Sequence, residues 1–111
     1  MALRVPTREP YEEYVGSSIQ FAIPAMEASR FPEFLDRCAD RGLDLKWFGE
    51  DQPRGFTSRY DSWKYLDDTP ELPRTRAVLA KTCDMRVPLT FDLEDCKLIT
   101  DILSEVVAES M

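Results

Sequence analysis

The chain has 111 residues, 43% hydrophobic and 32% charged, a globular composition sized for one domain able to bury roughly two-thirds of its unfolded surface. Its net charge of −7 repels phosphate backbones, and no basic stripe with interleaved aromatics offsets this, which argues against a nucleic-acid partner. Histidine is absent, which removes Ser-His and Cys-His nucleophile pairs and nearly all ordinary zinc sites, and no apolar run approaches the ~18 residues of a membrane span.

Residues 1–15 mix Pro6, Pro10, three glutamates and two tyrosines without periodicity, which predicts an extended or disordered N-terminal arm with Tyr11 and Tyr14 as candidate docking points. Arg4, Arg8 and Glu9 stand where a signal peptide would be apolar, so the expected compartment is the cytoplasm. Residues 16–111 form the expected domain. From Ser17 to Ile23 the chain alternates, with Ile19, Phe21 and Ile23 on one face and Ser18, Gln20 and Ala22 on the other, the pattern of a half-buried strand.

Ser29 is the expected cap of a helix whose apolar stripe is Phe31, Phe34, Leu35, Cys38 and Ala39, with Pro32 tolerated in the first turn and Gly42 as the stop. Leu43, Leu45 and Trp47 then alternate with Asp44 and Lys46, a second strand ended by Gly49. Between Glu50 and Leu72 lies a long loop with Pro53, Gly55, Pro70 and the aromatics Phe56, Tyr60, Trp63 and Tyr65.

Pro73 suits the first turn of a helix running to about Lys81 with Val78 and Leu79 inward, and Asp84 to Leu89 returns as a strand with Met85, Val87 and Leu89 on one face. The last helix opens on Asp92 as N-cap with Glu94 and Asp95 in its first turn, and carries Leu93, Cys96, Ile99, Ile102, Leu103 and Val106 as a stripe. Cys38, Cys83 and Cys96 fall among apolar neighbours without C-x-x-C spacing and read as buried small hydrophobes.

Three one-faced strands and three one-striped helices predict an α+β two-layer sandwich, a small three-stranded, mainly antiparallel sheet with helices on one face. A right-handed crossover makes the first two strands parallel and sets the third between them, antiparallel to both.

Two places could bind a ligand. The polar sheet face would carry Gln20, Lys46 and Arg86, either an anion-facing patch or solvated outward residues. In the loop GFTSRYDSW, Ser58, Arg59 and Tyr60 lie among aromatics, a setting suited to bidentate carboxylate or phosphate recognition. The alternative is a self-packed loop with Arg59 paired to Asp61 or Asp67. The acid pairs Asp67/Asp68 and Glu94/Asp95 read as caps and solvated charge without Ca²⁺-loop spacing, so no metal is expected.

The order of several short motifs resembles one family. The L-P-x-T start Leu72-Pro73-Arg74-Thr75, the strand ending Val87-Pro88-Leu89, the acid-opened last helix, the stretch GSSIQFAI and the helix ending Asp40-Arg41-Gly42 together resemble the closing segment of the DegT/StrS sugar aminotransferases, fold-type I pyridoxal-phosphate enzymes. The resemblance covers residues 14–107. It implies a C-terminal small domain that closes over the cofactor cleft, with a large cofactor-binding domain as its partner.

The loop after the second strand would then face the active-site entrance, making Ser58, Arg59 and Tyr60 expected substrate contacts beside Arg86 and Lys46 of the polar sheet face, although the loop lacks the histidine-containing pattern frequent in that family. Pyridoxal phosphate needs a Schiff-base lysine, an acid for the pyridinium nitrogen and a phosphate cradle. None of Lys46, Lys64, Lys81 and Lys97 lies in a matching stretch, so no catalytic or cofactor-binding residue is assigned, and the chain alone is expected to be a silent part of an enzyme. The other expectations are a freestanding interaction module, self-associating through exposed apolar surface or docking its arm there, and a small-anion-binding domain using Arg59 and Arg86.

Overall fold

The computed structural model describes residues 3–13, 16–52, 59–62 and 67–111. In chain order its regular elements are β1 (Ser18–Ala22), α1 (Phe31–Asp40), β2 (Lys46–Trp47), α2 (Pro73–Leu79), β3 (Thr82–Arg86) and α3 (Leu93–Ser110), with 3₁₀ turns at Ala28–Arg30 and Tyr60–Ser62. The strands form a small open antiparallel sheet in the order β1-β3-β2. Because β3 is antiparallel to both neighbours, β1 and β2 run parallel, as the crossover argument requires.

One sheet face is apolar and covered. Phe21 of β1 and Cys83 and Met85 of β3 join Phe31, Phe34 and Cys38 of α1 and Ile102, Leu103, Val106 and Val107 of α3 in one buried cluster. Each large apolar side chain fully buried there contributes about 1.5–3 kcal/mol, so α1 and α3 are held chiefly by this face. Phe31 anchors it twice, edge-on to Phe34 at 6.1 Å and stacked on Trp47 at 5.5 Å.

Local chemistry sets most of the boundaries. Gly42 adopts φ +84°, which lets its N–H reach the Ala39 carbonyl at 2.9 Å and the Leu43 N–H reach the Cys38 carbonyl at 2.8 Å, a Schellman stop for α1. Asp92 and Asp95 exchange side-chain-to-backbone bonds of 2.8 and 3.0 Å, a capping box at the start of α3. The Val87 N–H still reaches the Ser17 carbonyl at 2.9 Å on the β1 side, while Pro88 has no N–H to offer on the β2 side, where β3 ends.

Several expectations need correction, among them Leu93, which the apolar stripe of the last helix would turn inward and which is 88% exposed. Ser29 does not cap α1, because Ala28–Arg30 is already a 3₁₀ turn leading straight into the helix and Arg30 holds the N-cap position with helical dihedrals. Leu89 is fully exposed rather than inward, since it lies beyond the proline that ends β3. Val78 is 63% exposed, and α2 buries no residue, its seven residues leaving only Arg76 and Leu79 half-buried. Finally, Tyr11 is 83% exposed and does not dock, while Tyr14 lies outside the described residues.

The arm meets β1 elsewhere. Arg4 and Ala22 exchange two backbone bonds of 2.8 Å, and Leu3 packs against the core. On the outer edge of β1 the next antiparallel pair would be Pro6 with Gln20, and Pro6 has no donor, which leaves Arg4 as an isolated bridge. Among the described residues no helix is long and apolar enough to cross a membrane.

Candidate functional site

Among the described residues, the sheet face opposite α1 and α3 holds the clearest concentration of polar groups. Asp84 sits on the central strand with Gln20 of β1 and Lys46 of β2 as its cross-strand partners. The Gln20 side-chain amide donates to Asp84 Oδ1 and to Ser18 Oγ, the latter at 3.2 Å. Asp84 is only 4% exposed, on the sheet face opposite α1 and α3. Beside it a groove of about 450 Å³ is lined by Ser17, Ser18, Asp44, Lys46, Asp84 and Arg86.

The structure therefore brings together Lys46 and Arg86 of the expected contacts, with Gln20 adjacent. It adds two acids that the sequence argument did not single out. Asp84 could have been found, since the alternation that turns Met85 inward turns Asp84 and Arg86 to the opposite face. Asp44 follows in the same way from the inward Leu43 and Leu45, both buried.

Arg59 and Tyr60 do not line this groove. Arg59 grips Asp61 with two donors, Nε to Oδ1 at 3.2 Å and Nη2 to Oδ2 at 2.6 Å, and reaches Asp51 through Nη1 at 2.9 Å. Arg76 of α2 meets the same Asp61 oxygen at 2.8 Å and lies over the Tyr60 ring at 5.8 Å. Tyr60 Oη accepts the Leu72 N–H at 2.7 Å and donates to the Pro70 carbonyl at 3.1 Å.

These bonds tie the 3₁₀ turn to the start of α2, the self-packed arrangement with Asp61 and Asp51 as partners. The hydrogen bonds from Arg59, followed by the charges of Arg59 and Arg76, hold the Asp61 carboxyl below the usual carboxylate range against the opposing effect of desolvation. The same bonds push the Arg59 guanidinium further up. A ligand carboxylate at Arg59 would have to displace Asp51, whose side chain is 78% exposed, rather than the two-point Asp61 contact. Ser58 lies outside the described residues, as do Phe56, Trp63 and Tyr65.

Among the described residues no group of acids or thiols is arranged to hold a metal ion. No protein-family description, curated protein or solved structure matches this chain.

Proposed function

We propose that this chain is the C-terminal small lobe of a pyridoxal-phosphate-dependent aminotransferase of the DegT/StrS kind, a lid that adds substrate contacts to a cofactor site built by a separate large domain. The motif order in residues 14–107 motivates the reading. The observation that carries it is the asymmetry of the sheet among the described residues: one face is sealed by α1 and α3, while on the other Lys46 and Arg86 line a groove. Such a face is a wall awaiting an opposite wall.

None of the described lysines is placed as a cofactor lysine, and Lys64 lies outside the described residues. Lys81 Nζ donates to the Pro24 carbonyl at 2.9 Å, and Lys97 is exposed on α3. Lys46 lies beside a β-ladder whose backbone donors on the central strand are spent between strands, so the described residues offer no backbone cradle for a phosphate next to it. In this reading the amino donor is an amino acid such as glutamate, the acceptor is a keto-sugar or related carbonyl compound, and the chain alone is silent.

Titration with pyridoxal phosphate, followed by borohydride reduction and peptide mapping, tests the silence. The expected result is scattered, substoichiometric labelling. A saturable one-to-one adduct at a single lysine contradicts it.

A freestanding assembly module is the second reading, favoured by Leu89, Leu93 and Leu98, which are 100%, 88% and 58% exposed around the start of α3. Light scattering on the isolated chain separates the two: a stable homo-oligomer that Leu89→Asp and Leu93→Asp dissolve supports the module.

A further inference from the structure

The outer edge of β1 is paired at one end only. The residues flanking the strand bond toward β3, the Ser17 carbonyl with the Val87 N–H at 2.9 Å and the Ile23 N–H with the Lys81 carbonyl at 3.0 Å. By alternation the backbone groups of Gln20 and Ala22 point away from the sheet. Ala22 meets Arg4 of the arm, but among the described residues no backbone group meets Gln20 on that side. The arm continues along this edge, since Val5, Pro6 and Thr7 share a surface hollow with Ile19 and Gln20. Pro6 falls opposite Gln20 and has no N–H for its carbonyl, a common device for stopping further pairing at a sheet edge.

The apolar side of the same edge is incompletely filled. Residues opposed across an antiparallel pair share a face, so the Arg4–Ala22 register puts Leu3 and Val5 on the side of Phe21 and Ile19. All four line a cleft of about 250 Å³ whose far wall is Val87 of the β3 edge and Cys96 and Ile99 of α3. No charged side chain lines it, and its one hydroxyl, Thr100, donates to the Cys96 carbonyl at 2.9 Å. In the same register position 7 opposes Ile19, and an apolar side chain there would enter the cleft. The arm carries Thr7, which does not line it.

An edge with an unmet backbone pair and an apolar trough along one side fits a strand that has a donor at every position and apolar residues at alternate ones. We propose that the outer edge of β1 docks an extended segment of a partner protein, antiparallel to β1, proline-free and apolar at alternate positions, with the arm as the resident occupant that it displaces. The arm is held by the two Arg4–Ala22 bonds and by Leu3. A segment that also pairs at Gln20 and fills the cleft opposite Ile19 gains contacts that the arm lacks. This surface is separate from the leucine ridge at the start of α3, and the inference goes beyond both readings above and depends on neither.

The probe is a synthetic peptide of residues 3–9 carrying Pro6→Thr and Thr7→Val, titrated into the isotope-labelled full chain and followed by NMR. It should bind saturably at one site, slow amide exchange at Gln20 by about tenfold or more, and bring the Hα of its position 7 close to the Hα of Ile19, as an antiparallel register requires. A peptide that keeps Pro6 and carries only Thr7→Val should bind about tenfold more weakly, through lost backbone bonds. The full chain carrying Pro6→Thr and Thr7→Val should close the site with its own arm, protecting Gln20 without peptide and weakening the peptide by about tenfold or more. Leu3→Asp, which loosens the arm, should instead tighten binding.

No saturable binding to either the wild-type or the Leu3→Asp chain overturns the proposal, as does equal affinity for the two peptides or binding away from Gln20 and Ile19. If Leu3→Asp fails to fold, the wild-type chain and the double variant decide. A double variant whose Gln20 amide exchanges as fast as in the wild type also overturns it.

Discussion

Gly49 lies directly under the indole of Trp47, so that a Cβ on Gly49 would stand 2.5 Å from ring atoms Cε2 and Cζ2. The indole cannot move aside without loss, because its Nε1 donates to the Ala80 carbonyl at 2.8 Å and its face stacks on Phe31. The glycine that ends β2 is thus a packing requirement. Gly49→Ala should destabilise the fold by about 1–3 kcal/mol, the usual cost of overpacking, as read by urea unfolding followed through tryptophan fluorescence. Trp47→Phe in the same background should recover part of that loss, whereas full wild-type stability in Gly49→Ala would show that the ring has room.

Helix capping supplies a matched pair of expectations. Asp92→Ala removes the capping box of α3 and should cost about 1 kcal/mol, while Ser29→Ala should cost almost nothing because no side-chain bond caps α1. Thermal unfolding of the two variants side by side gives the answer. Equal losses would contradict the assignment of the caps.

The core should separate sharply from the exposed ridge. Phe34 is fully buried and Leu93 is 88% exposed. Phe34→Ala should therefore cost about 3–5 kcal/mol and Leu93→Ala within about 0.5 kcal/mol. A large loss in Leu93→Ala at all protein concentrations would mean that the ridge packs inside the monomer.

Thiol accessibility follows from burial. Burial pushes the Cys38 thiol up to about 11, partly opposed by Arg41. The Cys83 thiol rises further, through burial first and then through Cys38 and Asp84. Cys96 is half-buried on α3. Native protein at neutral pH should release one equivalent with a thiol-specific chromogenic disulfide, and denatured protein all three. Reaction of a second thiol without unfolding would contradict this packing.

Acid should loosen the turn at Tyr60–Ser62. The carboxyl of Asp61 is held below its ordinary 3.8 by the hydrogen bonds from Arg59 and then by the charges of Arg59 and Arg76. A carboxyl depressed in the folded state contributes its stability in full above the ordinary value and loses it as pH falls through the lower folded value. Carbon-detected NMR should place the Asp61 midpoint below 3.8, with the Tyr60 ring signals shifting in the same window. A midpoint at the ordinary value would show the Arg59 contact to be loose.

The sequence carried the sheet because alternation and crossover handedness are local and chiral: Phe21, Met85 and Leu45 are buried, and β3 lies between β1 and β2. It carried the ends of α1 and α3 where a single residue decides, at Gly42 and at Asp92. Ser29 and Leu89 depart from the pattern because a 3₁₀ lead-in precedes α1 and because β3 ends at Arg86, before Leu89. For the candidate site, facing is legible for Lys46 and Arg86, but the burial of Asp84 and its bond from Gln20 are not, since they are set between strands far apart in the sequence. Arg59 had a stated structural alternative, and the contacts with Asp61 and Asp51 follow that alternative.

The central claim is that this domain works as a wall of a cofactor site built elsewhere. Its most direct test is the intact mass and cofactor content of the native material captured from its own cells with an antibody raised against α3. The account expects the segment either within a polypeptide several times larger than 12.8 kDa or firmly bound to a second chain, with pyridoxal phosphate attached to a lysine outside these residues. A 12.8 kDa species recovered alone and active, with no pyridoxal-phosphate protein associated, would contradict it.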